Sequence, residues 1–134
     1  MNLRKRAVAF AATAAAATTL FIAPPAGAAE HYSGDTWGNT GRCGWATCLF
    51  YNSYQQGSGA GFDVGAYNFE GLTWPDGNAK GQPIKNNAAS GEADGQFMSL
   101  IYYNSNQMGN LDWFNPHTYG QLYYTYNENA SCSC

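Results

Sequence analysis

Tyr51-Asn52-Ser53-Tyr54-Gln55-Gln56-Gly57 is met again, little changed, as Tyr103-Asn104-Ser105-Asn106-Gln107-Met108-Gly109. Five of the seven positions are identical, and each copy follows an apolar run, Leu49-Phe50 or Leu100-Ile101-Tyr102. A second mark follows each copy in the same order: Lys85-Asn86-Asn87-Ala88-Ala89-Ser90 aligns with Tyr126-Asn127-Glu128-Asn129-Ala130-Ser131. Ordered self-similarity is the signature of a duplicated structural unit. The marks lie 35 residues apart in the first copy (Asn52 to Asn87) and 24 in the second (Asn104 to Glu128), so the first half carries eleven extra residues.

The units read as β-structure. Apolar and aromatic residues come in short runs or alternate with polar ones, separated by Gly, Asn, Ser and Asp, which argues for a sandwich or barrel of short strands. Strands are expected over 48–54, 62–70, 82–86, 97–103, 111–114 and 119–126. Gly57-Ser58-Gly59-Ala60-Gly61 and Asp76-Gly77-Asn78 read as turns that use glycine's access to positive φ. Residues 30–42 read as a loose polar arm. Two four-strand units, each with one apolar face, would bury those faces against each other in one core. The ten tyrosines and four tryptophans suit a thin β core in which rings supply area and hydroxyls stay wet.

Residues 1–29 read as a secretory signal peptide: a basic start through Arg4-Lys5-Arg6, an apolar run over 7–23, then Pro24-Pro25 and the small residues Ala26-Gly27-Ala28-Ala29. The pattern allows cleavage after Ala28 or Ala29. Export implies an extracellular protein that leaves the membrane once cleaved. A chain starting at Glu30 keeps three Lys/Arg against nine Asp/Glu, a net charge of −6. That field repels phosphate backbones, so no nucleic-acid partner is expected. All four cysteines lie in the exported part, and an even count there reads as two disulfides. Cys43–Cys48 would close a tight loop and leave Cys132–Cys134, a pairing across one residue that is expected to be strained. The crossed pairing would tie the N-terminal strand to the C-terminal one. No zinc site is expected, since no CxxC pair or nearby histidine completes four ligands.

These marks resemble the βγ-crystallin-like fold, and more closely the secreted actinobacterial proteins grouped as peptidase inhibitor family I36. Cys43-Gly44-Trp45-Ala46-Thr47-Cys48-Leu49-Phe50-Tyr51-Asn52-Ser53 resembles that family's opening, and 85–90 resembles its turn between Greek keys. The resemblance spans roughly residues 43–131. It implies an all-β sandwich of two Greek keys, about 43–91 and 92–134, in a monomeric domain over 43–134. It also implies inhibition of extracellular proteases, chiefly metalloproteases, by occupying the active-site cleft. One departure is clear: the crystallin hairpin carries an aromatic two residues before its Gly, where this chain has Gln55 and Gln107.

Candidate sites follow. A disulfide-held segment can meet a protease with little ordering cost, and an exposed tryptophan is a common anchor. Trp45, Ala46 and Thr47 are such a segment, and Trp74, stiffened by Pro75, is a second candidate. The inhibitor reading requires no cofactor. Calcium is the one ligand suggested, because Asn86, Asn87, Ser90, Asn127 and Ser131 resemble the Asn/Asp-Asn/Asp-x-x-Ser/Thr-Ser calcium stretch of some βγ-crystallins. The first stretch brings no carboxylate, so any such site would fall in the weak class, about 10⁻⁴–10⁻³ M. A calcium- or carbohydrate-binding module is therefore the alternative function. A small acidic secreted ribonuclease is the third, needing a histidine and a carboxylate. His117 with Glu128 or Glu92, beside Arg42, is the set available for it. No nucleophile or metalloprotease motif is present, and no enzyme is expected.

Overall fold

A computed structural model describes residues 27–134; most of the expected signal segment lies outside the described residues. Among the described residues, nine strands form two sheets. In chain order they are β1 (Glu30–Tyr32), β2 (Thr36–Trp37), β3 (Thr47–Asn52), β4 (Gln56–Phe62), β5 (Ser90–Ala93), β6 (Ser99–Asn104), β7 (Met108–Phe114), β8 (Thr118–Gln121) and β9 (Ser131–Ser133). One sheet runs β2-β8-β5-β3-β4 and the other β1-β7-β6-β9. Alternate residues of each sheet face inward, so Leu49, Ala60 and Ala93 from one meet Ile101, Phe114 and Cys132 from the other in a single core. Among the described residues, no helix is long and apolar enough to cross a membrane.

The duplicated sequence is a duplicated structure. Tyr54, Gln55 and Gly57 sit at φ 59°, 54° and 73°, and their counterparts Asn106, Gln107 and Gly109 at 63°, 58° and 81°. Successive left-handed residues other than glycine are costly, and one serine per unit offsets that cost. Ser90 Oγ donates to Asn52 O at 2.7 Å and accepts from Gln55 N at 3.0 Å. Ser131 Oγ donates to Asn104 O at 2.7 Å and accepts from Gln107 N at 3.0 Å. The two glutamines in place of the expected aromatics turn their amides onto backbone, Gln55 Nε2 to Gly120 O at 2.8 Å and Gln107 Nε2 to Cys132 O at 3.0 Å.

The units exchange their third segments. β8 of the second half pairs with β5 of the first, while Ala66 of the first half bridges Cys132 in β9 of the second. The symmetry reaches single hydrogen bonds: Phe69 N donates to Ala130 O and Leu122 N to Ala89 O, at 2.9 and 3.1 Å, and Asn86 N donates to Asn129 O and Asn127 N to Ala88 O, at 2.7 and 2.8 Å.

Several expectations are corrected. The segment 30–42 is not a loose arm. β1 pairs in parallel with β7 and β2 antiparallel with β8, and Ser33 between them is buried. Thr40 is fastened by Glu92, whose carboxylate accepts its N–H at 2.9 Å and its hydroxyl at 2.6 Å. The glycine-rich stretch 57–61 is strand β4, because flat backbone is what its outer neighbours need. A Cβ on Gly61 would lie 1.9 Å from the Trp45 ring, whereas one on Gly59 would make ordinary contact with Phe50 at 3.5 Å. Expected strand 62–70 reduces to the bridge at Ala66, and 82–86 reduces to the pairing of Pro83 with Thr73. That pairing closes the first half's extra stretch into a cover that sends Trp74, Ala79 and Ile84 into the core.

Candidate functional site

Arg42 to Cys48 forms a small structure on the outer face of the five-stranded sheet. The Cys43–Cys48 disulfide is formed, and Cys43, Cys48 and Phe50 make a second apolar cluster apart from the core. The Arg42 guanidinium lies 5.1 Å from the centre of the Phe50 ring and donates to the carbonyls of Gln55 and Gly57 at the end of the β3–β4 hairpin. Ala46 is tied at both polar groups: its N–H donates to Asp63 Oδ1 at 3.3 Å, and its carbonyl accepts from Asp94 N and Gly95 N at 3.0 and 3.1 Å. Gly44 and Trp45 project between these anchors, and Trp45 is 53% exposed. Its indole lies across the bare backbone of Gly61. A groove of about 460 Å³ opens beside it, lined by Trp45, Arg42, Phe62, Leu72, Pro75 and Asp76 among others.

The other loop candidates drop out. Thr47 is buried, its hydroxyl bonded to that of Ser99. Trp74 is 1% exposed and edge-on to Tyr51 at 6.0 Å between ring centres. It is a core residue whose truncation would cost about 3–5 kcal/mol. Its neighbours Leu72 and Pro75 face the groove instead.

Asn87 and Asn127 border a polar cleft with Tyr51, Asn52, Ser53 and Tyr126, but the turns do not assemble a calcium cage. Both serine hydroxyls are committed to the hairpins. Asn87 Nδ2 donates to Pro83 O at 3.0 Å. The buried side chain of Asn129 is spent inside the turn, accepting from Asn87 N and Ala88 N and donating to Ile84 O, each at 2.9 Å. Among the described residues, no group of three or more His, Cys, Asp or Glu side chains could hold a metal ion.

The acid–base set is dispersed. His117 lies 3.9 Å from Asp94 and edge-on to Trp37; Glu92 is buried on Thr40; Glu128 is exposed on the second Asn-rich turn. The structure reveals instead a buried acid that sequence reasoning passed over. Asp112 accepts from Thr125 N and Oγ1 at 2.7 and 2.6 Å, from Tyr123 N at 3.1 Å, from Tyr124 N at 3.3 Å and from Ser33 Oγ at 3.0 Å. His31 Nδ1 is 3.4 Å from it, and the His31 ring stacks on Tyr123. One signal was available: Asp112 shares strand parity with core Phe114, an acid on an inward face.

The expected second disulfide is not formed. Cys132 and Cys134 are thiols with their sulfurs 3.3 Å apart. Residues two apart in extended chain have their Cα atoms near the upper limit that a disulfide spans. The Cys134 thiol is pulled below its ordinary range by hydrogen bonds from Cys132 and Thr47, against burial. The Cys132 thiol is pushed well above it by its hydrogen bond to Cys134 and by burial.

This architecture is similar to a solved structure from work on the evolution of the eye lens βγ-crystallin domain fold. The TM-score is 0.54 at 12% identity, over 65% of this chain and 81% of that one. No protein-family model matches the sequence, and no curated protein matches it. The described residues form an all-β two-sheet sandwich with the βγ-crystallin domain fold.

Proposed function

We propose that this is a secreted inhibitor of an extracellular protease, of the type grouped as peptidase inhibitor family I36, and that it engages its target through the segment Arg42–Ala46. The observation that supports this best is the exposed Gly44-Trp45 pair, clamped by the Cys43–Cys48 disulfide on one side and by the bonds of Ala46 on the other. A segment so held loses little conformational freedom on binding. The indole supplies a large, rigid contact of the kind that dominates interfaces. The disulfide itself favours an oxidising compartment. Metalloproteases are the preferred targets because of the resemblance of residues 43–53 to that family.

A titration of the purified protein against a thermolysin-like metalloprotease tests the proposal. Stoichiometric loss of activity is expected, and Trp45→Ala should weaken inhibition by about 30- to 1,000-fold, the range of an interface anchor worth 2–4 kcal/mol. Full protease activity in micromolar excess of the wild-type protein would end the reading.

One observation favours a second reading, a carbohydrate-binding module. The Trp45 indole lies against Gly61 of β4 beside a groove that also presents Asp76 and Thr73, and an aromatic ring with a few polar groups suits a sugar face. Retention of the protein on a neutral polysaccharide, lost in Trp45→Ala, together with an unaffected protease, would favour it.

A further inference from the structure

We propose that Cys132 and Cys134 form a thiol–disulfide exchange site for small external disulfides, with Cys134 as the attacking thiol and Cys132 as the resolving one. The proposal does not depend on protease inhibition and concerns a different part of the molecule.

The two residues stand two apart in the chain, one in β9 and one just past its end, and hold their sulfurs 3.3 Å apart, so closing a bond of about 2.05 Å requires an approach of only about 1.3 Å. Their settings differ. Cys132 is fully buried in the core, and its backbone exchanges hydrogen bonds with Ala66 on one side, 2.9 Å each way, while β6 pairs with it on the other. Cys134 lies past Ser133, the end of β9, and is partly exposed. Cys134 is therefore the more accessible of the two to an incoming disulfide, whereas Cys132 is fixed beside whatever Cys134 becomes. The hydrogen bonds that favour the Cys134 thiolate suit it to attack. Cys43–Cys48 lies on the outer face of the other sheet and takes no part.

The step balances. Cys134 Sγ⁻ attacks one sulfur of an external disulfide R–S–S–R, forming a mixed disulfide and releasing one RS⁻. The Cys132 thiol attacks Cys134 Sγ and passes its proton to the departing sulfur, which forms the Cys132–Cys134 bond and releases the second equivalent as RSH. Two protein thiols are oxidised and one external disulfide is reduced. Closing a pair two residues apart also requires the end of β9 to tighten, and strained disulfides are the readily reversed ones. The same pair should therefore open again in excess small thiol.

The full exported chain, reduced mildly enough to leave Cys43–Cys48 intact, is treated with glutathione disulfide and then with an alkylating agent, and its intact mass is read. Wild type is expected to lose both alkylatable thiols, to become lighter by two hydrogens and to carry no glutathione. Excess reduced glutathione should restore both thiols. Cys132→Ser, and Cys132→Ala as the variant that puts no hydroxyl in the core, should accumulate one glutathione on Cys134. Cys134→Ser should accumulate none. The proposal is overturned if wild type keeps both thiols, if it stops at the glutathione adduct, or if Cys134→Ser is modified as fast as the Cys132 variants.

Discussion

Replacing Asp112 tests how the N-terminal segment is held. The carboxylate is fully buried and accepts five hydrogen bonds, from Ser33, Tyr123, Tyr124 and twice from Thr125. It thereby joins the β1–β2 connection, strand β7 and the 123–125 turn. Bonds to a charged acceptor contribute about 1.5–3 kcal/mol each, but they are not additive, and a buried donor left alone costs about 1–3 kcal/mol. Thr125 N, Thr125 Oγ1 and Ser33 Oγ are the donors with least access to water. Asp112→Ala should therefore cost about 3–5 kcal/mol, the range seen when one partner of a buried charged network is removed. For a domain stable by about 5–15 kcal/mol, that is a large share. Asp112→Asn is the sharper test. All five partners are donors, and an amide supplies one acceptor and one further donor where the site needs two acceptors. Asparagine should thus lose most of what alanine loses, despite having the same shape. In urea, with a slope of about 1.5 kcal/mol/M, both variants should lower the midpoint by about 2–3 M. An asparagine variant within about 0.5 kcal/mol of wild type, the scatter of neutral surface changes, would refute the argument that charge-assisted acceptance holds this corner together.

Gly120→Ala should destabilise by about 1–3 kcal/mol, the usual cost of overpacking, because the new Cβ would sit 1.8 Å from Ser33 O, a backbone atom. Gly44→Ala, which meets nothing within 4 Å, is the neutral control in the same urea titration. Calcium at about 10 mM should leave the melting temperature within about 1 °C, whereas a site of about 1 mM affinity would add about 1.4 kcal/mol and raise it by several degrees. N-terminal sequencing of exported protein should find Ala29 first, not Glu30, since Ala29 N donates to Asn110 Oδ1 at 3.0 Å and its carbonyl accepts from Leu111 N at 2.9 Å. The alkylation rate of Cys134 should rise at a lower pH than that of free glutathione, because hydrogen bonds to its sulfur depress the thiol; a half-rise at higher pH would contradict that placement.

What the sequence showed best was what local chemistry decides. A turn built on left-handed residues leaves Asn and Gly at fixed spacings, so Tyr51–Gly57 and Tyr103–Gly109 could be matched by eye, and the partner serines Ser90 and Ser131 through the second mark that each closes. Harder to see was everything set by a distant partner. β4 reads as a turn although Gly61 is there to serve Trp45, on another segment of the chain. β5 and β9 are short and polar, and they become strands through the neighbours they join. The polar segment 30–42 gains its order from Asp112 and Glu92, acids some fifty to eighty residues away. Trp74 beside Pro75 has the local look of an exposed loop, and only the fold-back of Thr73 onto Pro83 carries its ring inward. Of the candidate site, Trp45 could be named from its place between two cysteines. The groove beside it could not, because its far wall comes from the extra stretch of the first half.

The exchange of third segments also explains why this duplicated chain acts as one unit. Ala66 and Phe69 of the first half donate their N–H groups to Cys132 and Ala130 of the second, while Leu122 and β8 bond Ala89 and β5 of the first. A half expressed alone would leave those donors and acceptors unmatched and one face of its sheet bare, and a unit of that size buries too little surface to offset the loss. The Trp45 loop therefore draws its rigidity from both halves. Ala46 is bonded to Asp63 of the first unit and to Asp94 and Gly95 at the start of the second. A graft of residues 42–48 onto another scaffold would keep the disulfide but lose the clamp on Ala46, so its contact with any partner should be weaker than that of the intact sandwich.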